Sequence, residues 1–193
     1  SDNKVAIAKA GGIPPLVELL TSGTDLAKDW AAAALLKLAI NDHNKVAIAK
    51  AGAIPPLVAF LTSGTAAKKQ NAAGALSNLS SVSDIQVAIA KAGAIPPLVA
   101  LLTSGTAVAK ENAVGALQNL AVKHYKARIA KADAIPPLIE LLTSGPAIGK
   151  EHAARVLWSL AYMSDNKVAI AKAGAIPPLI QLLTSGTAGA KEN

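Results

Sequence analysis

An internal repeat, marked by the tetrapeptide Ile-Pro-Pro-Leu, constrains this chain more than any other feature. Copies begin at Ile13, Ile54, Ile95, Ile135 and Ile176, which places them 41, 41, 40 and 41 residues apart. A fixed period of this size is typical of helical solenoids, in which each unit buries its apolar face against its neighbours. The 193-residue chain is therefore expected to be a series of copies of one structural unit.

The second copy shows how one unit divides into three helices. Apolar periodicity over residues 45–51 predicts a short first helix, and Gly52 follows it as a left-handed cap. The paired prolines after Ile54 fit the first turn of a second helix, because the N–H groups there have no acceptor within the helix. A third, longest helix is predicted from about Ala66 to about Ser80, with apolar residues spaced to form one buried face. The predicted fold class is all-α, an α-solenoid with three helices per repeat.

The repeat signals predict one domain that covers residues 1–193. It comprises four complete repeats and part of a fifth, at about 1–41, 42–82, 83–122, 123–163 and 164–193. Neither end carries the atypical polar capping repeat that solenoids need for solubility. We therefore expect either a segment of a longer array or an engineered tandem, whose uncapped ends allow head-to-tail self-association.

The fourth repeat departs from the others in two ways. One residue is missing between Asn119 and Ala127, which shortens the period to 40. Asp133 also replaces the cap glycine of the other repeats, and a side chain in a left-handed cap costs about 1 kcal/mol. Both changes predict a local irregularity at this point of the array.

The composition excludes several classes of protein. A hydrophobic content of 52% against 16% charged residues supports a buried core rather than disorder. Cysteine is absent, which excludes disulfides and thiolate chemistry. The longest uncharged window, residues 92–109, contains two prolines and a turn sequence, so no membrane-spanning helix is predicted.

The net charge of +7 raises the question of nucleic-acid binding. Most of the basic residues occupy fixed repeat positions along the whole array, such as Lys9, Lys50, Lys91, Lys131 and Lys172. Aromatic residues that could stack on bases make up only 3% of the chain. The charge is therefore interpreted as a property of the repeat surface, and nucleic acid is not a predicted partner.

No motif for catalysis or for a cofactor occurs in the sequence. The three histidines, His43, His124 and His152, lie at unrelated positions of different repeats and lack the spacing of metal ligands. A nucleophile elbow and a phosphate-binding loop are also absent. The sequence predicts a protein without enzymatic activity, metal or cofactor.

The repeat resembles the armadillo family, which includes importin-alpha, beta-catenin and plant and protist proteins rich in Gly-Ala-Ile-Pro-Pro-Leu. The resemblance rests on Ala-Gly-Ala-Ile-Pro-Pro-Leu and on Ala-Ala-Gly-Ala-Leu-Ser-Asn-Leu at residues 72–79, and it covers essentially the whole chain. It implies a right-handed superhelix whose third helices line a concave groove for an extended peptide. An intracellular location, cytoplasmic or nuclear, is also implied by the resemblance.

The resemblance assigns a ligand contact to the asparagine of Ala-Leu-x-Asn-Leu, whose amide hydrogen-bonds the main chain of the peptide. An amide suits this role because it both donates and accepts. The role falls on Asn78 and Asn119, whereas Lys37 and Ser159 occupy the same column in the outer repeats. The ladder of asparagines is thus restricted to repeats two and three.

Further groove residues are expected one and eight positions before this column. They are Ser77, Gln118 and Trp158 at the first offset, and Gln70 and Glu111 at the second. Four positions before the column, where nuclear-import receptors carry tryptophan, this chain has Ala33, Gly74, Gly115 and Arg155. Arg155 would repel a cationic peptide, so no preference for polybasic ligands is predicted.

Two functions remain open from the sequence. The first is a protein-interaction module that binds an extended peptide or partner segment along the groove. The alternative is a structural scaffold, natural or engineered, that self-associates end to end without a dedicated ligand.

Overall fold

The computed structural model describes residues 2–122 and 124–185, and all regular secondary structure within these ranges is α-helical. Each complete repeat supplies three helices, as predicted. The bounds are α1 (Asp2–Lys9), α2 (Ile13–Ser22) and α3 (Asp25–Leu38) in repeat one; α4 (Asp42–Lys50), α5 (Ile54–Ser63) and α6 (Ala66–Leu79) in repeat two; α7 (Ser83–Lys91), α8 (Ile95–Ser104) and α9 (Ala107–Leu120) in repeat three; α10 (Lys126–Lys131), α11 (Ile135–Ser144) and α12 (Ala147–Leu160) in repeat four; and α13 (Ser164–Lys172) and α14 (Ile176–Ser185) in repeat five. The predicted start of a third helix in the fifth repeat, near Lys191, lies outside the described residues.

The helix boundaries follow the sequence punctuation. The paired prolines occupy the first turn of α2, α5 and α11. The last threonine of Thr-Ser-Gly-Thr caps the third helix in repeats one to three. The Oγ1 atoms of Thr24, Thr65 and Thr106 accept hydrogen bonds from the backbone N–H three residues later, at 3.3, 3.2 and 3.1 Å. A capping threonine of this kind contributes about 1 kcal/mol to helix stability. The starts of α3, α6 and α9 are therefore fixed locally, whereas α12 begins after Pro146 without a side-chain cap.

The first helix of repeat two begins earlier than the apolar pattern predicts. Periodicity placed it at residues 45–51, whereas α4 runs from Asp42 to Lys50. The side chain of Asn41 accepts hydrogen bonds from the backbone N–H groups of His43 and Asn44, at 3.1 and 3.3 Å. Because this cap satisfies two donors of the first turn, the helix includes polar residues that carry no apolar periodicity.

The chain divides into two compact units, residues 1–97 and 98–193. In the first unit, α3 packs on α2 and α6, and α6 packs on α5. The second unit shows the same arrangement, with α12 packed on α11 and α9. The third helices are the centre of each unit because they pack on both neighbouring elements, and they share the buried leucines with the second helices, such as Leu76 with Leu57 and Leu117 with Leu138. A single continuous domain over the whole chain stays a prediction.

A buried lysine connects repeats one and two. Lys68 is only 6% exposed, and its Nζ lies 2.9 Å from Oδ1 of Asp25 and 3.8 Å from Oδ1 of Asp29, both on α3. The same Nζ lies 5.8 Å from the ring centroid of Phe60, a cation–π contact. The corresponding position holds Ala27 in repeat one, and repeats three and four have alanine and glycine there. This charged contact between α3 and α6 is therefore particular to the second repeat.

The fourth repeat is irregular, as its sequence predicts. Its first helix, α10, has six residues, whereas α4 and α7 have nine, and the missing residue falls in the segment where α10 begins. Asp133 adopts a φ of 55°, in the left-handed region that the four cap glycines occupy at 80–84°. Asp133 therefore bears the strain that the sequence indicated.

Among the described residues, no single helix is long and apolar enough to cross a membrane, and two pairs of shorter helices satisfy that test only when joined across a sharp bend.

The strain at Asp133 predicts that Asp133→Gly stabilises the protein. The free energy of unfolding, measured by urea denaturation, should rise by about 1 kcal/mol because glycine has no Cβ to crowd the left-handed conformation. Gly93→Asp, the reverse change in repeat three, should lower it by a similar amount. Asp133→Asn keeps the side chain but removes its charge; if it stabilises as much as Asp133→Gly, the charge at the helix C-terminus is the cause instead.

The contact of Lys68 with α3 predicts a pH-dependent contribution to stability. The hydrogen bond from Lys68 is the main cause that lowers the pKa of Asp25 below its ordinary 3.8. A carboxylate with a lowered pKa in the folded state stabilises that state above the ordinary pKa, and the contribution is lost as the pH falls through the lowered value. Lys68→Ala should therefore lower the urea midpoint at neutral pH, and this difference from wild type should shrink below pH 3.8. Lys69→Ala is the matched control, and an equal effect of both variants at every pH would contradict the role of Lys68.

Candidate functional site

In the first unit, the predicted groove residues lie on the adjacent helices α3 and α6. Lys37 is exposed, whereas Gln70, Ser77 and Asn78 are half-buried. Nδ2 of Asn78 donates a hydrogen bond to the carbonyl oxygen of Leu36 at 3.2 Å. Asn78 thus links repeat two to repeat one, which the sequence did not predict. An amide can form further hydrogen bonds, so one N–H and the side-chain carbonyl oxygen remain for a ligand.

In the second unit, α9 and α12 carry the other six predicted residues. Four of these six surround a single cavity of about 270 Å³, together with Ala121. The four are Gln118, Arg155, Trp158 and Ser159. Glu111 and Asn119 lie on α9 and are half-buried, but they do not line the cavity. Most of the predicted residues of this unit are therefore brought together at one place.

Two polar groups of the cavity are engaged within the protein. Ser159 is only 7% exposed, and its hydroxyl donates to the carbonyl oxygen of Ala121 at the end of α9. Oε1 of Gln118 forms a hydrogen bond with Nδ1 of His152. Because an amide oxygen only accepts, the imidazole carries its proton on Nδ1. Both bonds join repeat three to repeat four.

Arg155 contributes a guanidinium group that is only partly paired. Its Nη2 lies 3.3 Å from Oε1 of Glu151, one turn earlier on α12. Its Nε is shielded from solvent, and no residue in the described ranges provides an acceptor for it. A buried donor without an acceptor costs about 1–3 kcal/mol. Arg155 is thus a charged residue at the cavity wall, and only one of its guanidinium nitrogens is paired with a carboxylate.

Trp158 forms an exposed aromatic wall. Its side chain is 54% exposed, and the ring of Tyr162 packs edge-on against it at 5.0 Å between centroids. The Nζ atom of Lys126 lies 4.4 Å from the Tyr162 ring centroid. These contacts restrict the Trp158 ring while leaving a large part of it accessible, an arrangement typical of an aromatic contact residue.

The sequence analysis did not identify Tyr162, Lys126 or His152 as neighbours of this site. Trp158 and Tyr162 are only four residues apart, but Tyr162 lies in the turn beyond the end of α12, so helix periodicity alone does not identify the aromatic pair. His152 occupies the column of Asn71 and Asn112, and its contact with Gln118 joins residues 34 positions apart. That contact depends on the packing of repeats and has no local sequence signal.

The imidazole of His152 favours its neutral form. Burial is the main cause that lowers its pKa below the ordinary 6.5, and the charge of Arg155 acts in the same direction. The carboxylates of Glu151 and Glu111 oppose this shift. At neutral pH the hydrogen bond to Gln118 is therefore made by an uncharged ring.

A larger cavity, of about 550 Å³, lies between the first helices α1 and α4 of the first unit. Valine and alanine supply three of its six lining residues, and Lys9, His43 and Asn44 supply the other three. Nδ2 of Asn44 already donates to the carbonyl oxygens of Lys4 and Leu38, at 3.1 and 3.2 Å. This amide has a structural role, so the cavity between α9 and α12 is the better candidate for recognition.

Comparison with known families identifies the repeat. The Armadillo/beta-catenin-like repeat matches the chain five times, at residues 1–39, 41–81, 83–122, 123–162 and 163–193. The comparison with curated proteins gave no match. The five matches bear out the resemblance that the sequence motifs indicated.

Solved structures that are similar to the chain include designed armadillo repeat proteins. One is 26% identical with a TM-score of 0.89, over 99% of this chain and 82% of that chain. A second, described as computationally designed for modular peptide recognition, is 26% identical with a TM-score of 0.88, over 100% and 83%. A third, in complex with the peptide (KR)4, is 26% identical with a TM-score of 0.85, over 99% and 82%. The predicted fold class, an all-α solenoid, is confirmed.

The lowered pKa of His152 predicts a loss of stability in mild acid. The unfolded chain binds a proton at His152 more readily than the folded chain, so the free energy of unfolding should fall as the pH decreases below 6.5. His152→Asn, which introduces the residue found in repeats two and three, should remove this part of the pH dependence. Urea denaturation of wild type and His152→Asn at pH values above and below 6.5 measures how the free energy of unfolding changes with pH in each protein. If this free energy changes with pH in parallel for both proteins, His152 is not the cause.

Proposed function

Because the chain belongs to the armadillo/beta-catenin-like repeat family, we propose that it is a non-enzymatic module that binds an extended peptide along its third helices. The observation that carries the proposal is the cavity between α9 and α12, where Gln118, Arg155 and Trp158 converge. The designed neighbours support it, since one is described as made for peptide recognition and another contains a bound peptide.

The third helices offer the kinds of group that an extended peptide requires. Such a ligand presents an N–H and a carbonyl at every residue, which a row of amide side chains can pair. Asn78 in the first unit and Gln118 in the second are amides of this kind, and each has one side-chain hydrogen bond within its own unit. Because each amide is held by that bond, it loses little conformational freedom when a peptide binds. Asn119 on α9 is a third amide proposed to contact the peptide.

The proposed ligand differs from the (KR)4 peptide of the designed neighbour. Arg155 stands at the position where a tryptophan would contact a basic side chain in import receptors, and its charge opposes a cation there. Glu151 pairs with the guanidinium at 3.3 Å and reduces this repulsion, but Arg155 still offers only N–H donors, which a basic side chain cannot use as hydrogen-bond acceptors. We therefore propose a peptide that is not polybasic, at least where it contacts repeat four.

An end-to-end scaffold is the weaker alternative. Ile176 and Leu183 on α14 are each 55% exposed, although their counterparts in the earlier repeats, such as Ile54 and Leu61, are buried. In the earlier repeats, however, the second helix packs on the third helix of its own repeat, as α5 does on α6. This exposed face thus corresponds to an intramolecular contact and does not favour self-association.

The proposal predicts that the double variant Asn78→Ala and Asn119→Ala binds peptide less tightly than wild type. Each lost amide removes one or two hydrogen bonds, so the binding free energy should weaken by roughly 1–3 kcal/mol. Peptides selected by display against the wild-type protein provide the ligands, and fluorescence anisotropy measures their affinity.

The control for this experiment separates binding from folding. Asn78 also bonds Leu36, so the double variant is first compared with wild type by urea denaturation and used at a temperature where both are folded. Lys91→Ala changes an exposed residue of a first helix and should leave the affinity unchanged. An affinity that is the same in wild type and in the double variant would refute the assignment of these asparagines.

A further inference from the structure

The cavity between α9 and α12 is lined by the side-chain N–H donors of Gln118 and Arg155, and Arg155 adds a positive charge that Glu151 pairs on one side. We propose that it is a subsite for a carboxylate of the bound peptide, with Arg155 as the group that recognises it. The proposal rests on the proposed function, because it specifies one position of the ligand. The carboxylate belongs either to an Asp or Glu side chain or to the end of the peptide, and both have the same chemistry.

The first step concerns the acceptors around the cavity. The carbonyl oxygen of Ala121 accepts from Ser159, and Oε1 of Gln118 bonds His152. These acceptors are engaged inside the protein. The Nε2 N–H groups of Gln118 remain as donors, since an amide carries two of them. A ligand group that enters the cavity therefore meets donors more readily than acceptors.

The second step concerns the charge. The Nε of Arg155 is buried without an acceptor in the described part of the chain, while Nη2 is held by Glu151 at 3.3 Å. A guanidinium binds a carboxylate through two parallel N–H donors, and such charge-assisted bonds are stronger than bonds to a neutral oxygen. Because Nε is shielded from solvent, a carboxylate in the cavity would bond the outer pair of N–H donors on Nη1 and Nη2 and share the positive charge with Glu151.

The third step concerns size and shape. A cavity of about 270 Å³ is smaller than typical pockets for small molecules, so it suits a single side chain or chain terminus. The exposed ring of Trp158 forms one wall, which can cover the methylene groups of a glutamate. Because Arg155 already interacts with Glu151, we expect a moderate preference for the acid over its amide, about ten-fold rather than a thousand-fold.

The test is a display selection with random-sequence peptides in which Asp and Glu occur as often as Asn and Gln. The readout is the enrichment of acids over amides at the best-defined ligand position. Wild type should enrich the acids about ten-fold, and Arg155→Gln should remove that enrichment. Arg155→Lys keeps the charge but not the planar pair of donors, so this variant should retain only part of the enrichment of acids.

Two controls make the result specific to the cavity. Lys131→Gln removes one positive charge from an exposed position of α10 and should leave the enrichment unchanged. Trp158→Ala should weaken the binding of acid-bearing and amide-bearing peptides alike, because it removes the wall and not the charge. Circular dichroism and urea denaturation establish that each variant is folded before selection.

The selection is run with two libraries to identify the source of the carboxylate. One library displays peptides with free C-termini, and the other displays the same sequences internally. Enrichment of Asp and Glu in both assigns a side chain, whereas selection of peptides only when their C-termini are free assigns the terminus.

The outcomes distinguish the two proposals. If wild type selects peptides but Arg155→Gln selects the same acids or termini equally well, the carboxylate subsite is refuted and peptide binding stands. If no peptide is enriched on wild type over the bare support, peptide binding itself is refuted and the subsite with it.

Discussion

Packing of each third helix against its neighbours is the interaction on which the rest of the structure depends. In the first unit α6 contacts both α3 and α5, and in the second unit α12 contacts both α9 and α11. The contact faces are built from alanine and leucine, such as Ala72 and Leu76, which are fully buried. Small residues let helices approach closely, and the leucines supply most of the apolar area that is removed from water. Within each unit, this packing also fixes where the polar side chains of the same helices lie.

The sequence was sufficient to predict the fold because its signals are local and repeated. Prolines, cap glycines and the heptad-like apolar spacing act within one helix or turn, and five copies agree with one another. The strain at Asp133 was predictable for the same reason, since a cap position is recognised by its place in the repeat. The start of α4 was not predictable from apolar periodicity, because its polar first turn depends on the Asn41 cap.

The candidate site was predictable only as a set of positions on a helix face. The family column and the helix-face offsets from it selected Gln118, Arg155, Trp158 and Ser159, but what Gln118 and Ser159 do depends on residues about one repeat away. Ser159 bonds Ala121, and Gln118 bonds His152, at separations of 38 and 34 residues. Such pairs are set by how the repeats stack, and a single sequence contains no local pattern that identifies them. The same limit applies to Lys68, whose column in the other repeats holds alanine or glycine.

The hydrogen bonds between repeats have a consequence for the proposed binding of a peptide. Asn78, Gln118 and Ser159 each use part of their hydrogen-bonding capacity to join adjacent third helices. A side chain held in this way is pre-organised, so its remaining groups meet a ligand at low entropic cost. It also couples stability to binding, because changing the side chain affects both the neighbouring helix and the ligand contact. Arg155 is different, because its guanidinium is held only by Glu151 within the same helix. A substitution of Arg155 would therefore change the proposed ligand preference with little effect on how the repeats pack.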